Sequence, residues 1–133
     1  MFKVGQKKTI TKLVQKEDVQ KFADVSGDWN PLHLDEEYAK NTVFGKCIAH
    51  GMLSASYISA VLGTDFPGEG TIYLGQNLKF LSPIYIGEEI EVSVEIKSVD
   101  EKNRAVLETN VRCMDGRLAI EGEAFVKLPK VQH

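Results

Sequence analysis

The chain has 133 residues, 43% of them hydrophobic and 26% charged, which is enough for one domain, residues 1–133, with its own hydrophobic core. Its net charge is −3, and acidic and basic residues are mixed along the chain, so no basic patch favours nucleic-acid binding. The first ten residues, MFKVGQKKTI, lack the apolar core of a signal peptide, and we expect a cytoplasmic protein.

The N-terminal part of the chain predicts one strand and two helices. Apolar and polar residues alternate in Lys7–Val14, which favours a strand. The segment KEDVQKFADVSG, from Lys16 to Gly27, has apolar residues at helical spacing and ends at a glycine, as helices commonly do. The segment DEEYAKNT, from Asp35 to Thr42, predicts one short helix that begins with acidic residues and ends near Asn41.

A longer helix is predicted over Ile48–Gly63, in IAHGMLSASYISAVLG. This segment contains no formally charged residue if His50 is neutral. It is shorter than the roughly 20 residues that cross a membrane, so we expect no membrane association. Its apolar positions run right round the helix, which predicts that it is buried inside the protein.

The C-terminal half predicts consecutive strands in an antiparallel meander. Turn residues occur at Ser82–Pro83, Asp100–Asn103 and Asp115–Gly116. The segment EIEVSVEIKSV, from Glu89 to Val99, alternates so that one face lies in a core and the other in solvent. The combined width of about five strands matches the length of one long helix. We therefore expect an α+β hotdog fold, a curved antiparallel sheet wrapped around that helix.

The segment GDWNPLHLD, Gly27–Asp35, places an acid, an amide and a histidine around a proline. Asp28 and His33 are five residues apart, a spacing that brings side chains together in neither a helix nor a strand. Pro31 prevents a helix from passing through the segment and keeps Asn30 out of the α region. A bent loop is therefore predicted to bring Asp28 and His33 together.

The sequence resembles the MaoC-like (R)-specific enoyl-CoA hydratases, above all the small bacterial enzymes that feed polyhydroxyalkanoate synthesis. The segments that carry the resemblance are SGDWNPLHLD, FGKCIAHGMLSASYISAVLG and IYLGQNLKFLSPIYIGEEIEVSVEI. It covers nearly the whole chain and is most specific in the hydratase motif, Asp28–His33, and in the later pair His50–Gly51. The resemblance implies a hotdog homodimer, with the site at the dimer interface. It also implies reversible addition of water to trans-2-enoyl-CoA, giving the (R)-3-hydroxyacyl-CoA.

The residues of the motif can support this hydration. An enoyl thioester requires a base that takes a proton from water, an acid that protonates the α-carbon, and a group that stabilises the enolate. Asp28 and His33 could hold one water between them and divide the proton transfers, although the sequence does not assign base and acid. Asn30 could orient this pair or cap the turn.

Gly51 is the candidate group for the enolate. The predicted helix begins at His50–Gly51, where backbone N–H groups lack intrahelical partners and lie at the positive end of the helix dipole. A glycine allows a ligand to approach the backbone closely, so the Gly51 N–H is the expected donor to the thioester oxygen. For His50 itself, a structural role at the junction and a role in the site remain open.

The same helix indicates where an acyl chain could lie. Ser59 and Leu62 are three residues apart, so we expect them on one face, along which a chain held at Gly51 would extend. By resemblance, Phe125 faces the same pocket. Leu62 and Phe125 would leave little depth, which predicts substrates of about four to six carbons. Alternatively, both residues belong to the core.

Other functions have weaker support. A hotdog thioesterase or an acyl-carrier-protein dehydratase would carry an acid on the central helix, and residues 51–63 contain no Asp or Glu. A noncatalytic acyl-CoA binding module would not need both Asp28 and His33. Three histidines, one of them the terminal His133, are too few for a histidine-rich metal site, and we expect neither metal nor cofactor, because coenzyme A is part of the substrate. Cys47 and Cys113 are expected to be reduced and buried.

Overall fold

The computed structural model describes residues 1–130, so His133 lies outside the described residues. Within this range the chain forms five strands, four α-helices and a π-helical segment. In chain order, they are β1 (Lys7–Leu13), α1 (Lys16–Ser26), α2 (Pro31–Leu34), α3 (Glu36–Lys40), α4 (Gly51–Ala60), the π segment (Val61–Asp65), β2 (Ile72–Phe80), β3 (Glu89–Val99), β4 (Arg104–Cys113) and β5 (Leu118–Lys127). None of the helices in residues 1–130 has the length and apolarity needed to cross a bilayer.

The five strands form one antiparallel sheet in the order β1-β3-β4-β5-β2. Strands β3, β4 and β5 form the expected meander. The expectation that all consecutive strands pair is wrong for β2, which pairs with β5 at the far edge of the sheet. The chain between β2 and β3 crosses from that edge to the β3 side, so that Leu81–Ile84 lies beside the start of α4.

The core lies between α4 and one face of the sheet. The predicted alternation in β3 is confirmed, because Ile90, Val92, Val94 and Ile96 are fully buried while their neighbours face outward. These four residues belong to the same buried cluster as Ile58 on α4. A five-stranded antiparallel sheet packed around one central helix is the hotdog fold, as the sequence predicted.

Helix α4 is shorter and less evenly buried than expected. It begins at Gly51, three residues later than predicted, because Ile48 forms an isolated bridge with Tyr85 instead. After Ala60 the helix continues as the π segment, in which the Phe66 N–H donates to the carbonyl of Val61. One side of α4 packs on the sheet, and the other, which includes Met52, is exposed in the single chain.

Candidate active site

The motif segment turns as predicted but contains one helical turn that was not expected. Gly27 ends α1 in the left-handed conformation, with φ of 81°. Asn30 has a ψ of 124°, outside the α region, and its side chain accepts a hydrogen bond from the Leu32 N–H at 3.1 Å. Pro31 then starts α2, because the first position of a helix requires no N–H from the proline. Asn30 therefore caps the helix that carries His33.

Asp28 lies in the exposed turn before α2. Its carboxylate accepts a hydrogen bond from the Asn30 N–H at 3.2 Å, which holds the turn closed. Its own N–H donates to Ser26 Oγ at 3.1 Å. Both contacts are local, and Asp28 lines a cavity together with His33.

His33 is buried and held in one tautomer. Its Nδ1 lies 2.8 Å from the carbonyl oxygen of Ile48, which can only accept, so Nδ1 carries the hydrogen. In the neutral ring Nε2 then keeps a lone pair that can accept a proton. Burial is the main cause that lowers the pKa of His33 below 6.5, and the nearby His50 lowers it further. The hydrogen bond to Ile48 and the charge of Asp28 act in the opposite direction. His33 is therefore a neutral base near pH 7.

His50 and Gly51 lie at the start of α4, beside this pair. The His50 Nε2 donates to the backbone carbonyl of Asp28 at 3.0 Å, and its ring stacks on the ring of His33. Gly51 is the first residue of α4, so its N–H has no partner inside the helix. A Cβ built at Gly51 would lie 2.6 Å from Cε1 of Phe80, so a larger residue at this position would require the exposed Phe80 ring to shift.

These groups surround a cavity of about 450 Å³, most of whose lining is apolar. Three of the predicted site residues line it, namely Asp28, His33 and Gly51. The full lining consists of Asp28, His33, Phe44, Ile48, Ala49, His50, Gly51, Met52, Ser54, Phe80, Leu81, Ser82, Pro83, Ile84 and Ile120. An acid, a neutral histidine and a helix N-terminus thus meet on one apolar cavity, an arrangement suited to proton transfer next to a developing negative charge.

The other predicted binding residues lie elsewhere in the described chain. Ser59 lines a separate groove between α4 and β2. Leu62 is 1% exposed and belongs to the core cluster. The expectation that Ser59 and Leu62 lie on one face of the helix is wrong. Ser59 is exposed and Leu62 is buried, because the π segment begins between them.

Phe125 does not share a pocket with Leu62 within the described chain. Its neighbours on β5, Ala124 and Val126, are buried against the core, whereas Phe125 is 38% exposed on the opposite face of the sheet. The alternation of strand side chains therefore places the sheet between Phe125 and Leu62. The expected acyl tunnel along these residues is not formed by residues 1–130.

Sequence reasoning missed most of the cavity wall. Phe44, Phe80 and Ile120 come from three distant parts of the chain, and Leu81–Ile84 connects β2 to the bridge at Ile48. The Ser82–Pro83 turn was recognisable, but nothing in its composition indicates which helix it approaches. Pro83 is held there because its carbonyl accepts a hydrogen bond from Arg117 at 2.8 Å.

Asp28, His33 and His50 also form a cluster whose donor atoms lie within 4.8 Å of one another. Two of the four ring nitrogens already donate to backbone carbonyls. The two rings stack with planes 29° apart, and imidazole lone pairs lie in the ring plane, so the remaining nitrogens do not converge on one ion. The geometry favours proton transfer over metal binding.

Both cysteines are buried and reduced, as predicted. Burial is the main cause that raises the pKa of Cys47 to about 11, and Glu36 adds to it. A thiol with this pKa remains protonated near neutral pH, so Cys47 is a poor nucleophile.

The sequence pattern of the family described as "MaoC like domain" matches residues 2–115. The chain belongs to this family. The curated (R)-specific enoyl-CoA hydratase of Aeromonas caviae is 46% identical to this MaoC-like chain over 127 residues, covering 95% of each protein. The curated 3-hydroxybutyryl-CoA dehydratase of Methylorubrum extorquens is 44% identical, covering 96% of this chain and 81% of that protein.

A solved structure shows the same fold. The unliganded R-hydratase of Pseudomonas aeruginosa superposes on the MaoC-like chain with a TM-score of 0.94, at 45% identity. The match covers 98% of this chain and 84% of that one. The family membership predicted from the resemblance and the hotdog fold predicted from the helix and strand pattern are thus confirmed.

Proposed function

We propose that this protein catalyses the reversible hydration of trans-2-enoyl-CoA to (R)-3-hydroxyacyl-CoA. The observation that carries the proposal is the convergence of Asp28, His33 and the Gly51 N–H on one cavity. The names of the relatives from Aeromonas caviae and Methylorubrum extorquens support the reaction and its stereochemistry.

In the proposed mechanism, the thioester oxygen accepts a hydrogen bond from the Gly51 N–H. Water lies between the Asp28 carboxylate and His33 Nε2, and its oxygen attacks the β-carbon as one of these groups takes its proton. Electrons of the double bond move onto the thioester oxygen, and the enolate is stabilised by the N–H and the helix dipole. The proton taken from the water is then delivered to the α-carbon, which completes the addition and returns Asp28 and His33 to their starting protonation states.

Short acyl chains are the proposed substrates, of about four to six carbons as the sequence indicated. The support lies in the cavity wall rather than in Leu62 and Phe125. Ile84 and Ile120 line the cavity and are also buried in the core cluster, so this wall cannot move without disturbing the core. The name of the relative from Methylorubrum extorquens refers to a four-carbon acyl group.

The proposed assembly is a homodimer. Strand β2 pairs with β5 on one side and forms an edge of the sheet in the described chain. Ile72 and Leu74 on this strand are each 54% exposed, and Met52 on the outer side of α4 is 57% exposed. Apolar side chains along an unpaired strand edge favour association with a second copy. Light scattering should give twice the chain mass, and Leu74→Lys should shift it to the monomer mass.

The reaction can be tested with crotonyl-CoA. Hydration removes the enoyl absorbance without releasing free thiol, and chiral chromatography of the hydrolysed product identifies the (R)-3-hydroxy acid. Release of free thiol would instead indicate a thioesterase. Saturable binding with no change in absorbance or thiol would indicate a noncatalytic acyl-CoA binding module.

A further inference from the structure

His50 contacts the backbone of Asp28 and the ring of His33 from a position where packing alone does not explain a histidine. It is 2% exposed and directly precedes Gly51 at the start of α4. Its Nδ1 is buried and has no hydrogen-bond partner among residues 1–130. An apolar side chain of similar size would fill this space without burying that atom.

The first contact of His50 holds the Asp28 turn. Within the described chain, the other hydrogen bonds of residues 27–30 join positions at most four apart. The bond from His50 Nε2 to the Asp28 carbonyl, at 3.0 Å, instead spans 22 positions. It ties an exposed turn to the buried start of α4.

The second contact holds His33. The two imidazole rings lie 4.0 Å apart, centroid to centroid, and the ring of Phe22 supports His50 at 4.8 Å. Ile48, two residues before His50, accepts the hydrogen bond from His33 Nδ1. The segment Ile48–Gly51 therefore contacts both Asp28 and His33 and also supplies the Gly51 N–H.

We infer that His50 is a positioning residue for the hydration, which sets the separation between the Asp28 carboxylate and the His33 imidazole and holds both against the Gly51 N–H. This inference rests on the proposed function. His50 does not exchange a proton with the substrate. Its contribution is geometric, and errors of about 1 Å in such groups can lower rates by about 100-fold.

The experiment compares His50→Phe with His50→Gln on crotonyl-CoA. Phenylalanine keeps the ring but loses the donor to Asp28, whereas the Gln side-chain amide can place a donor near the position of Nε2. We expect His50→Phe to lower kcat by about 10- to 100-fold with KM changed less than about threefold. His50→Gln should recover kcat to within about fivefold of the wild type, and both variants should melt within a few degrees of it.

Tyr57→Phe is the matched control. The Tyr57 hydroxyl is likewise buried and without a partner in residues 1–130, and it lies on α4 outside the cavity lining. Its removal should leave kcat and KM unchanged. This variant separates the loss of a buried polar atom near the core from the loss of the contact with Asp28.

Unchanged kcat in His50→Phe, or equal losses in the Phe and Gln variants, would overturn the inference. If His50→Phe does not fold, His50→Gln is compared with His50→Asn instead. The shorter Asn side chain cannot bring its donor to the carbonyl of Asp28. Equal kcat values for Gln and Asn would then overturn it. A wild-type protein that does not hydrate crotonyl-CoA would refute the proposed function, whereas active wild type with fully active His50→Phe would refute only the role of His50.

Discussion

The imidazole rings of His33 and His50 stack with centroids 4.0 Å apart and planes 29° from parallel. Each ring donates one hydrogen bond to a backbone carbonyl, His33 to Ile48 and His50 to Asp28. The two histidines are thereby fixed in orientation, and the proposed base, His33, is one member of a buried pair rather than a single mobile side chain. This pair determines several properties that can be measured.

Asp28→Asn and His33→Ala should each lower kcat by at least about 100-fold, because each removes a group that exchanges protons with water or substrate. Asp28→Asn should leave the melting temperature nearly unchanged, since Asp28 is exposed. His33→Ala should also reduce stability, by about 1–3 kcal/mol, because it leaves the Ile48 carbonyl without its donor. The double variant should be little slower than the slower single variant. A loss equal to the product of the two single losses would contradict a shared water.

The lowered pKa of His33 predicts a specific dependence of stability on pH. The unfolded chain takes up a proton on His33 near pH 6.5, before the folded chain does, so acid favours unfolding. The stability linked to His33 is therefore complete above about pH 6.5 and decreases as the pH falls below it. Urea unfolding at several pH values should show a steeper loss below pH 6.5 in the wild type than in His33→Gln. Equal slopes would show that His33 titrates alike in both states.

Activity should follow the same titration. If neutral His33 is required, kcat/KM should be constant near pH 7 and decrease only below pH 6.5, because burial lowers the pKa of His33. Asp28→Asn removes the nearby charge that raises the pKa of His33, so the residual activity of this variant should decrease at a still lower pH. An acid limb centred above pH 6.5 in the wild type would contradict the burial of His33.

The role of the Gly51 N–H can be tested by comparing two substitutions, only one of which removes this N–H. Gly51→Ala and Gly51→Pro both place a Cβ against the ring of Phe80, which is 53% exposed and can move aside. Only proline also removes the N–H, and the extended His50 before it, with ψ of 135°, is compatible with a following proline. We expect kcat of Gly51→Pro to be at least about 100-fold below that of Gly51→Ala. Equal kcat values would show that another group stabilises the enolate.

The chain-length proposal now depends on the cavity wall. Leu62→Ala should destabilise the fold by about 2–4 kcal/mol without altering the preference among four- to eight-carbon substrates, because Leu62 is a core residue. Ile84→Ala should instead raise kcat/KM for eight-carbon relative to four-carbon enoyl-CoA, by a graded amount. Steady-state kinetics over a series of acyl chain lengths measures the preference, and urea unfolding of both variants measures the stability. A shifted preference in Leu62→Ala, or in Phe125→Val, would restore the pocket expected from the sequence.

A metal chelator should leave the hydration rate unchanged. The nitrogens of the stacked histidines do not converge on one ion, and the proposed mechanism uses only proton transfers and a backbone donor. Activity before and after dialysis against EDTA, with added Zn²⁺ as the comparison, tests this. Loss on dialysis that Zn²⁺ restores would show that the cluster of Asp28, His33 and His50 holds a catalytic metal.

Local chemistry was sufficient for most of the elements and for the three predicted residues that line the cavity, Asp28, His33 and Gly51. The alternation in β3, the glycine that ends α1 and the proline within the motif all act over a few residues, so each could be interpreted without a partner. The same applies to Asp28 and His33, which one turn brings together, and to Gly51, whose N–H is exposed by its place at a helix start.

Tertiary structure decided the rest, because it depends on which distant segments meet. Backbone hydrogen bonds are alike in every strand, so nothing local directs β2 to β5 instead of β3. Leu62, in the π segment, packs into the core on one face of the sheet, whereas the alternation of β5 places Phe125 on the other face. This result of packing cannot be read from spacing along the sequence. For His50, the sequence specified a position at the start of a helix, and only the fold placed its ring on His33 and its Nε2 on the carbonyl of Asp28.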